Sequence, residues 1–409
     1  MNSLVCEDIE IDPIKIENYL QKIDEILEPK IYLNDTLLSG NLGKVLYFMY
    51  RYRTSDNTYF ADLASKILGQ VLENIREKKG KISFTSSLSS GLTGLCFINM
   101  LLEDDDFMDL EMDKTFAQFD KIIFEKACQQ IKEGNLDYLH GSMGSFSYFT
   151  NRIEKNIEVK GYISVMIDLM TEKAIENERG IRFNNLIINQ LNNTPDEINL
   201  GFAHGLSGIL SVLLKVYESG INQEKVENII RKGIRYILNS YQEVDFEKGF
   251  YSHFPSVIDE KLGLKDKQNQ QSYRSFLGWC YGDLNQVILL YQAGKLFNEL
   301  LWIHLAEKVG MNTMNRTLEK GTQIKDGFIC HGAVGLALMY QHIINTSENR
   351  IYQEKVDYWQ NQTLNYAEQL DFNLESNGSL LGGLEGLGLG LMTLQTDKNL
   401  LWTRLFLLQ

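Results

Sequence analysis

The stretch AHGLSGILSVLL at residues 203–214 contains the pattern that recurs through the rest of the chain: a Gly-x-x-Gly pair followed by an apolar run. Gly205 and Gly208 form the pair here. The run after them is apolar on most sides of a helix, which is typical of a helix inside a protein. Other copies, one of them degenerate, begin at Gly40, Gly91, Gly141, Gly282, Gly332 and Gly383. A pattern that recurs along a whole chain predicts a repeat architecture.

Amphipathic stretches at helical spacing lie between the copies, for example at residues 60–78, 116–131 and 226–238. Each unit is therefore predicted to pair one apolar inner helix with an amphipathic helix that covers it from outside. Seven such units favour an all-α fold, an α/α toroid (double barrel) of seven inner and seven outer helices. An open helical solenoid is the alternative. No composition shift divides the chain, so we predict a single domain over 1–409, with a short N-terminal helical lead-in at about 1–34.

The longest interval between copies, 77 residues from Gly205 to Gly282, holds an insertion at 241–275. The insertion is polar and aromatic with weak periodicity. Loops of this length in compact domains are often lids or binding loops. A solvated surface loop is the alternative, and the sequence does not separate the two.

Composition narrows the classes of function. The net charge of −14 argues against a nucleic-acid partner, because an acidic surface repels phosphate backbones. The N-terminus lacks a basic region followed by an apolar run, and no stretch reaches 18 uninterrupted apolar residues. We therefore expect no secretory signal, no membrane span and a cytoplasmic location. The five cysteines, an odd number, are expected to be core, metal-binding or catalytic residues rather than a disulfide framework.

Cysteines and histidines recur just before the first glycine of the repeat. Cys280 and Cys330 stand two places before the first glycine in successive units. Residues at equivalent positions of the repeats lie at the same end of a closed ring. We therefore predict that Cys280, Cys330, His331, His204 and His140 converge on one cavity. The residues directly before the first glycine of the seven units are Ser39, Ser90, His140, His204, Tyr281, His331 and Gly382.

The pattern of two cysteines and a histidine predicts a zinc site. Cys280, Cys330 and His331 are good zinc ligands, and three protein ligands leave the fourth position open, as in catalytic zinc sites. Fifty residues separate the two cysteines, unlike in a zinc finger, so the prediction depends on the repeat. Cys96 and Cys128 lie within apolar helical runs and are predicted to be small hydrophobic core residues.

The histidines divide in a similar way. His204 suits proton transfer, because the pKa of an unperturbed histidine lies close to neutrality; a helix-capping or core histidine is the alternative. His304 and His342 lie in helical stretches and are predicted to be surface or packing residues. The role of His253, in the insertion, stays open.

Three motifs, GWCYGDL (278–284), CHGAVG (330–335) and AHGLSG (203–208), together resemble those of the lanthionine synthetase C-like family, the LanC-like lantibiotic cyclases. The resemblance runs from about residue 35 to the C-terminus. It implies the seven-fold α/α toroid and an enzyme, a lanthionine synthetase, that carries one zinc ion per chain. The matching residues are the metal ligands Cys280, Cys330 and His331 and the catalytic residues His204, Asp137 and Tyr281.

The chain departs from the family pattern at a few positions. Phe276 stands where members often carry an arginine, and Arg274 is two places away, so the role of Arg274 stays open. Asn285 replaces the usual second glycine and is expected to matter only for helix packing. His140 is an additional candidate for the cavity, with an undefined role.

The implied reaction is the addition of a peptide cysteine to dehydroalanine or dehydrobutyrine, which forms a lanthionine or methyllanthionine ring. A substrate cysteine would bind the zinc as a thiolate, the nucleophilic form. His204 is predicted to protonate the enolate at its α-carbon. Asp137 would orient or charge that histidine or accept the thiol proton, and Tyr281 would donate a hydrogen bond near the metal or toward the enolate oxygen.

The expected partners are a dehydrated precursor peptide and a separate dehydratase, since no segment of the chain is left for one. Addition of glutathione or another thiol to dehydro residues is one alternative function. A non-catalytic protein that binds zinc or a thiol peptide is a second. A carbohydrate or terpenoid enzyme on a similar toroid is a third, but such enzymes use inward carboxylates.

Overall fold

The computed structural model describes residues 12–30, 32–79, 82–105, 107, 113–184, 186–263, 270–318, 321–372, 378–396 and 400–409. Its helices, in chain order, are α1 (Pro13–Leu27), α2 (Asn41–Ser55), α3 (Thr58–Arg76), α4 (Leu92–Asp104), α5 (Asp113–Glu133), α6 (Met143–Arg152), α7 (Val159–Lys173), α8 (Leu186–Asn192), α9 (Leu206–Glu218), α10 (Gln223–Leu238), α11 (Asp283–Phe297), α12 (Leu300–Met314), α13 (Ala333–Ser347), α14 (Gln353–Gln369) and α15 (Leu384–Leu394).

Four short strands form two antiparallel pairs. Strand β1 (Ile175–Asn177) pairs with β2 (Gly180–Arg182), and β3 (Glu197–Asn199) pairs with β4 (Val257–Asp259). Strand β4 belongs to the insertion at 241–275. The second pair therefore attaches the insertion to the chain segment that leads into His204.

The helices that follow the glycine pairs form a closed ring. In the described residues these inner helices are α2, α4, α6, α9, α11, α13 and α15; each packs against the next, and α15 packs against α2. Their residues are buried nearly all round, whereas the outer helix α10 buries one stripe at Val226, Ile229, Ile230, Ile234 and Ile237. The predicted all-α toroid is confirmed, and the closed contact between α15 and α2 excludes the open solenoid.

Helix α1, which the sequence places in the N-terminal lead-in, belongs to the outer layer. It packs against α15 and buries Ile16, Leu20, Ile23 and Leu27. The outer helices of the described residues are therefore α1, α3, α5, α7, α10, α12 and α14. Residues 1–11 and Ile31 of the predicted lead-in lie outside the described residues.

Backbone hydrogen bonds join the segments that precede the inner helices. We call these segments the rim: residues 37–39, 87–90, 137–140, 202–204, 279–281, 329–331 and 380–382. The bonds run from the N–H of one segment to the carbonyl of another: Leu37 to Ser89 (3.1 Å), Ser89 to Leu139 (2.9 Å), Phe202 to Cys280 (3.0 Å), Trp279 to Cys330 (2.9 Å), Cys330 to Leu381 (2.9 Å) and Leu380 to Leu38 (2.9 Å). The last bond joins the seventh unit to the first.

The second glycine of each pair allows the rim segment to fold tightly against its helix. A Cβ on Gly335 would overlap the carbonyl oxygen of Ile329, six residues earlier, and Gly208 stands in the same relation to Phe202. In the degenerate unit the amide of Asn285 donates a hydrogen bond to the carbonyl of Trp279, which is also six residues earlier (3.1 Å). In this unit a hydrogen bond from Asn285 thus takes the place of the close packing between the second glycine and the rim carbonyl.

Replacing Gly335 by alanine is expected to destabilise the protein by about 3 kcal/mol, because the new methyl group meets backbone rather than a movable side chain. Gly69, on the exposed face of α3, is the matched control, since no described atom lies within 4 Å of a Cβ placed there. Gly69→Ala should instead raise stability by about 0.5–1 kcal/mol. Denaturant unfolding followed by circular dichroism measures both changes; equal effects would contradict this account of the repeat.

A short 3₁₀ segment, Leu401–Phe406, lies inside the ring of inner helices. Its carbonyls accept hydrogen bonds from the Tyr138 hydroxyl (at Leu405, 3.0 Å) and from the Trp279 indole (at Phe406, 2.7 Å). Those donors belong to the third and fifth units. The segment therefore contacts two rim residues that are the sequence neighbours of Asp137 and Cys280.

Candidate active site

Three side chains with metal-binding atoms meet where two rim segments touch. The N–H of Trp279 donates to the carbonyl of Cys330, which places Cys280 beside the next unit. The Cα atoms of Cys280 and Cys330 are 5.9 Å apart, and their Sγ atoms are in direct contact, as in a disulfide. His331 Nε2 lies 3.4 Å from the Cys330 sulfur. The ligand atoms of all three residues lie within 4.8 Å of one another.

The chemistry of this donor set fits a zinc ion. Two sulfurs and an imidazole nitrogen are zinc ligands, and three of them leave a coordination position for a substrate. A disulfide between Cys280 and Cys330 would use the sulfurs but would leave His331 without a role. Cys280 is buried, Cys330 half-buried and His331 exposed, so the cluster opens toward solvent on the histidine side.

Aromatic rings border the cluster. Phe276 meets the His331 ring edge to face, with centroids 4.8 Å apart, and meets the Tyr281 ring in the same manner at 5.8 Å. Phe276 and Tyr281 also line a cavity of about 250 Å³ together with residues of the insertion, among them Val257 and Arg274. A larger cavity, of about 460 Å³, lies at the far ends of the inner helices and contains none of the predicted site residues.

Asp137 and His204 form a hydrogen-bonded pair on the same rim. Asp137 Oδ2 lies 2.6 Å from His204 Nδ1. Asp137 Oδ1 accepts hydrogen bonds from the backbone N–H groups of Leu139 (2.9 Å) and His140 (2.7 Å). A carboxylate only accepts hydrogen bonds, so His204 Nδ1 carries a proton and its Nε2 is the nitrogen available for proton exchange.

Tyr281 directly follows Cys280 and contacts Asn199, in the segment that leads into His204. Its hydroxyl oxygen accepts a hydrogen bond from the Asn199 amide (2.9 Å), which leaves the hydroxyl proton for donation. Burial raises the pKa of Tyr281 above the usual value of a phenol, while the Asn199 hydrogen bond lowers it in part. The side chain is therefore a neutral hydrogen-bond donor at pH 7.

The rim brings most of the predicted site residues together. The N–H of Phe202, two residues before His204, donates to the carbonyl of Cys280, so the acid–base pair and the cysteine cluster occupy adjacent rim segments. Arg274 shares the small cavity with Tyr281, but its guanidinium donates to the carbonyl of Lys248 (2.8 Å) and stacks over Phe250.

The other cysteines and histidines named from the sequence fall outside this arrangement. Cys96 is buried in α4 and Cys128 is half-buried in α5. His342 is buried, whereas His304 is exposed on α12. His253 is buried within the insertion: its ring Nδ1 lies 2.8 Å from the carbonyl of Gln242, and its backbone N–H donates to Asp283. Residues 264–269 of the insertion lie outside the described residues.

Sequence reasoning missed Asn199 and Ser89 and read Asn285 too narrowly. Besides its bond to Trp279, the Asn285 side chain accepts a hydrogen bond from the N–H of Phe202 (3.2 Å), so it links two rim segments of the site. Ser89 Oγ lies 2.8 Å from His140 Nδ1. A second repeat position could have revealed one of them: an Asn or Asp stands six residues before the first glycine at Asn34, Asn135, Asn199, Asp326 and Asn377.

Among the described residues, no helix is both long and apolar enough to cross a membrane.

Known proteins resemble this chain over part or most of its length. It is 24% identical over 386 residues to nisin biosynthesis protein NisC of Lactococcus lactis subsp. lactis, covering 91% of this chain and 88% of that protein. It is 24% identical over 190 residues to glutathione S-transferase LANCL1 of Danio rerio, covering 46% of this chain and 40% of that protein. The solved structure of nisin cyclase has the same fold, with a TM-score of 0.75, 18% identity and 97% coverage of both chains. The sequence model of the lanthionine synthetase C-like protein family matches residues 32–407, and the chain belongs to that family.

Proposed function

We propose that this protein is a zinc-dependent lanthionine cyclase, which adds cysteine thiols of a dehydrated precursor peptide to dehydroalanine or dehydrobutyrine in lanthipeptide biosynthesis. The observation that carries the proposal is the placement of the Cys280, Cys330 and His331 cluster on the rim beside the Asp137–His204 pair. Membership of the family and the similarity to NisC over most of both chains support it.

Cys280, Cys330 and His331 would hold one zinc ion per chain. When bound, zinc would supply the acidity that converts a substrate thiol to its nucleophilic thiolate at neutral pH. The rim would place the dehydro residue between this cluster and the acid–base pair. The protein would act in the cytoplasm, on a substrate that a separate dehydratase prepares.

The Asp137–His204 pair would carry out the proton transfers of the reaction. As the sulfur bonds to the β-carbon, the electron pair of the double bond moves toward the α-carbon and the carbonyl oxygen. His204, held by Asp137 through Nδ1, would deliver a proton from Nε2 to the α-carbon and regain one released by a substrate thiol. Tyr281 would donate its hydroxyl hydrogen bond toward the developing negative charge. The net change is one new C–S bond and one new C–H bond.

A dehydrated peptide that contains one cysteine tests the proposal. Incubation with the zinc-loaded protein should protect the thiol from alkylation without changing the peptide's mass, because cyclisation only rearranges atoms. A chelator should abolish the reaction, and added zinc should restore it. The same peptide with serine in place of cysteine is the control. Full activity of the metal-free protein, or no reaction with the loaded protein, would overturn the proposal.

A count of thiols separates the metal site from a disulfide. The chain has five cysteines, so a zinc-bound protein denatured in chelator without reductant should show five reactive thiols. A Cys280–Cys330 disulfide would remove two and leave three.

The similarity to LANCL1 favours one second candidate, a transfer of glutathione to dehydro residues. The same assay separates the two functions, because a glutathione adduct gains the mass of glutathione whereas a ring does not. The two functions are distinguished by comparing the rate of ring formation by the peptide cysteine with the rate of glutathione addition.

A further inference from the structure

His140 lies on the rim beside the acid–base pair. Its ring is nearly parallel to the His204 ring, with an interplanar angle of 10° and centroids 5.8 Å apart. The turn that holds Asp137 also holds His140, because Asp137 Oδ1 accepts the backbone N–H of His140. One carboxylate therefore contacts both residues, the His204 ring through Oδ2 and the His140 backbone through Oδ1. Like charges repel at this distance, so two cationic rings side by side are disfavoured.

Hydrogen bonds from the neighbouring unit favour one tautomer of His140. The Ser87 hydroxyl donates to the carbonyl of Leu139 (3.0 Å) and accepts from the backbone N–H and the hydroxyl of Ser90 (3.2 and 3.3 Å). These bonds occupy its proton and both lone pairs. Ser89 Oγ lies 3.0 Å from Ser87 Oγ and 2.8 Å from His140 Nδ1. When Ser87 is filled in this way, the Ser89 proton is left for His140 Nδ1.

An imidazole that accepts a hydrogen bond at Nδ1 carries its own proton at Nε2. Partial burial lowers the pKa of His140 and the nearby His204 lowers it further, while Asp137 raises it. Both lowering effects favour a neutral ring, which in this hydrogen-bond arrangement donates from Nε2–H. Its partly exposed position on the rim puts it within the surface that a peptide substrate would cover.

We propose that His140 is a second catalytic histidine, which donates a hydrogen bond from Nε2–H to the carbonyl oxygen of the dehydro residue as the enolate forms. The inference rests on the proposed cyclase function. His140 keeps its proton throughout, and His204 supplies the proton that the α-carbon receives. A neutral donor aimed at a developing oxyanion stabilises the transition state more than the substrate, since the oxygen becomes negative only during the reaction.

Three variants test this role in the zinc-loaded protein with the dehydrated peptide. His140→Phe keeps a flat ring against His204 but has no donor, and kcat should fall by about 10²–10³-fold with zinc content unchanged. His140→Asn offers an amide donor and should recover at least tenfold of that loss. Ser89→Ala releases Nδ1 and should lower kcat by a smaller factor, since the other tautomer becomes populated.

Nitrogen NMR of histidine-labelled protein gives a readout that does not depend on turnover. The His140 signals, assigned by their absence from His140→Phe, should report a neutral Nε2–H ring at pH 7 and a mixed tautomer in Ser89→Ala. A cationic ring or an Nδ1–H tautomer in the wild type would overturn the role, whatever the activity.

The kinetic outcomes separate this role from the cyclase proposal. Turnover by the wild type together with a His140→Phe variant within threefold of it refutes the role of His140 alone. Equal loss in His140→Phe and His140→Asn, with one limb of the pH–rate profile missing, means that His140 transfers a proton instead and also refutes it. Absence of turnover by the wild type removes the cyclase function and this role together.

Discussion

Replacing Cys280 by alanine is expected to abolish zinc binding and ring formation together. Zinc held by two thiolates and a histidine loses one of three protein ligands, and the remaining Cys330 and His331 are adjacent residues that cannot enclose the ion. The rim itself should persist, because Cys280 contributes its backbone carbonyl, not its side chain, to the bond from Phe202.

Metal analysis after gel filtration measures the first effect, and the thiol-protection assay measures the second. Cys128→Ala is the matched control: this cysteine is half-buried on the outer helix α5, and its loss should leave about one zinc per chain and normal turnover. Full zinc content in the Cys280 variant would count against the ligand set.

Replacing His204 by asparagine is expected to lower the rate of cyclisation by about 10²–10⁴-fold, the range typical of a lost general acid or base. The asparagine amide can still donate to Asp137 Oδ2, so the carboxylate keeps a partner in this position. No titrating nitrogen remains to protonate the α-carbon. Zinc content and thermal stability should stay close to those of the wild type, because His204 is not among the three metal-binding side chains.

Single-turnover kinetics with the zinc-loaded variant isolates the chemical step from substrate binding. His304→Asn serves as the control, since His304 is exposed on the outer helix α12. A His204→Asn protein that forms rings at the normal rate would show that the proton comes from another group.

The repeat made the fold and the metal-binding candidates predictable from sequence. Side chains at one register of a closed ring must lie at one end of it, so Cys280, Cys330 and His331 could be grouped although 50 residues separate the two cysteines. His204 was found by the same reasoning. Asp137 was not, because it stands four residues before its glycine, and it entered only through the family resemblance.

The contacts between units could not be predicted from the sequence. Ser89 meets His140, and Asn199 meets Tyr281, through bonds that cross from one unit to another. Such pairs depend on how far each rim segment is rotated against its neighbour, which hydrophobic periodicity does not encode. The segment Leu401–Phe406 illustrates the same limit, since nothing in its apolar composition indicates that it lies inside the ring.

The bond from Leu380 to Leu38 and the support from Leu405 and Phe406 have a consequence for biosynthesis. A ribosome makes these late residues only after both cysteines of the cluster have been translated. The ring cannot close on the nascent chain before then, although earlier hairpins can already form. We therefore expect Cys280 to stay reactive toward thiol reagents in stalled chains that end before residue 380, and to become protected once the full length has been released.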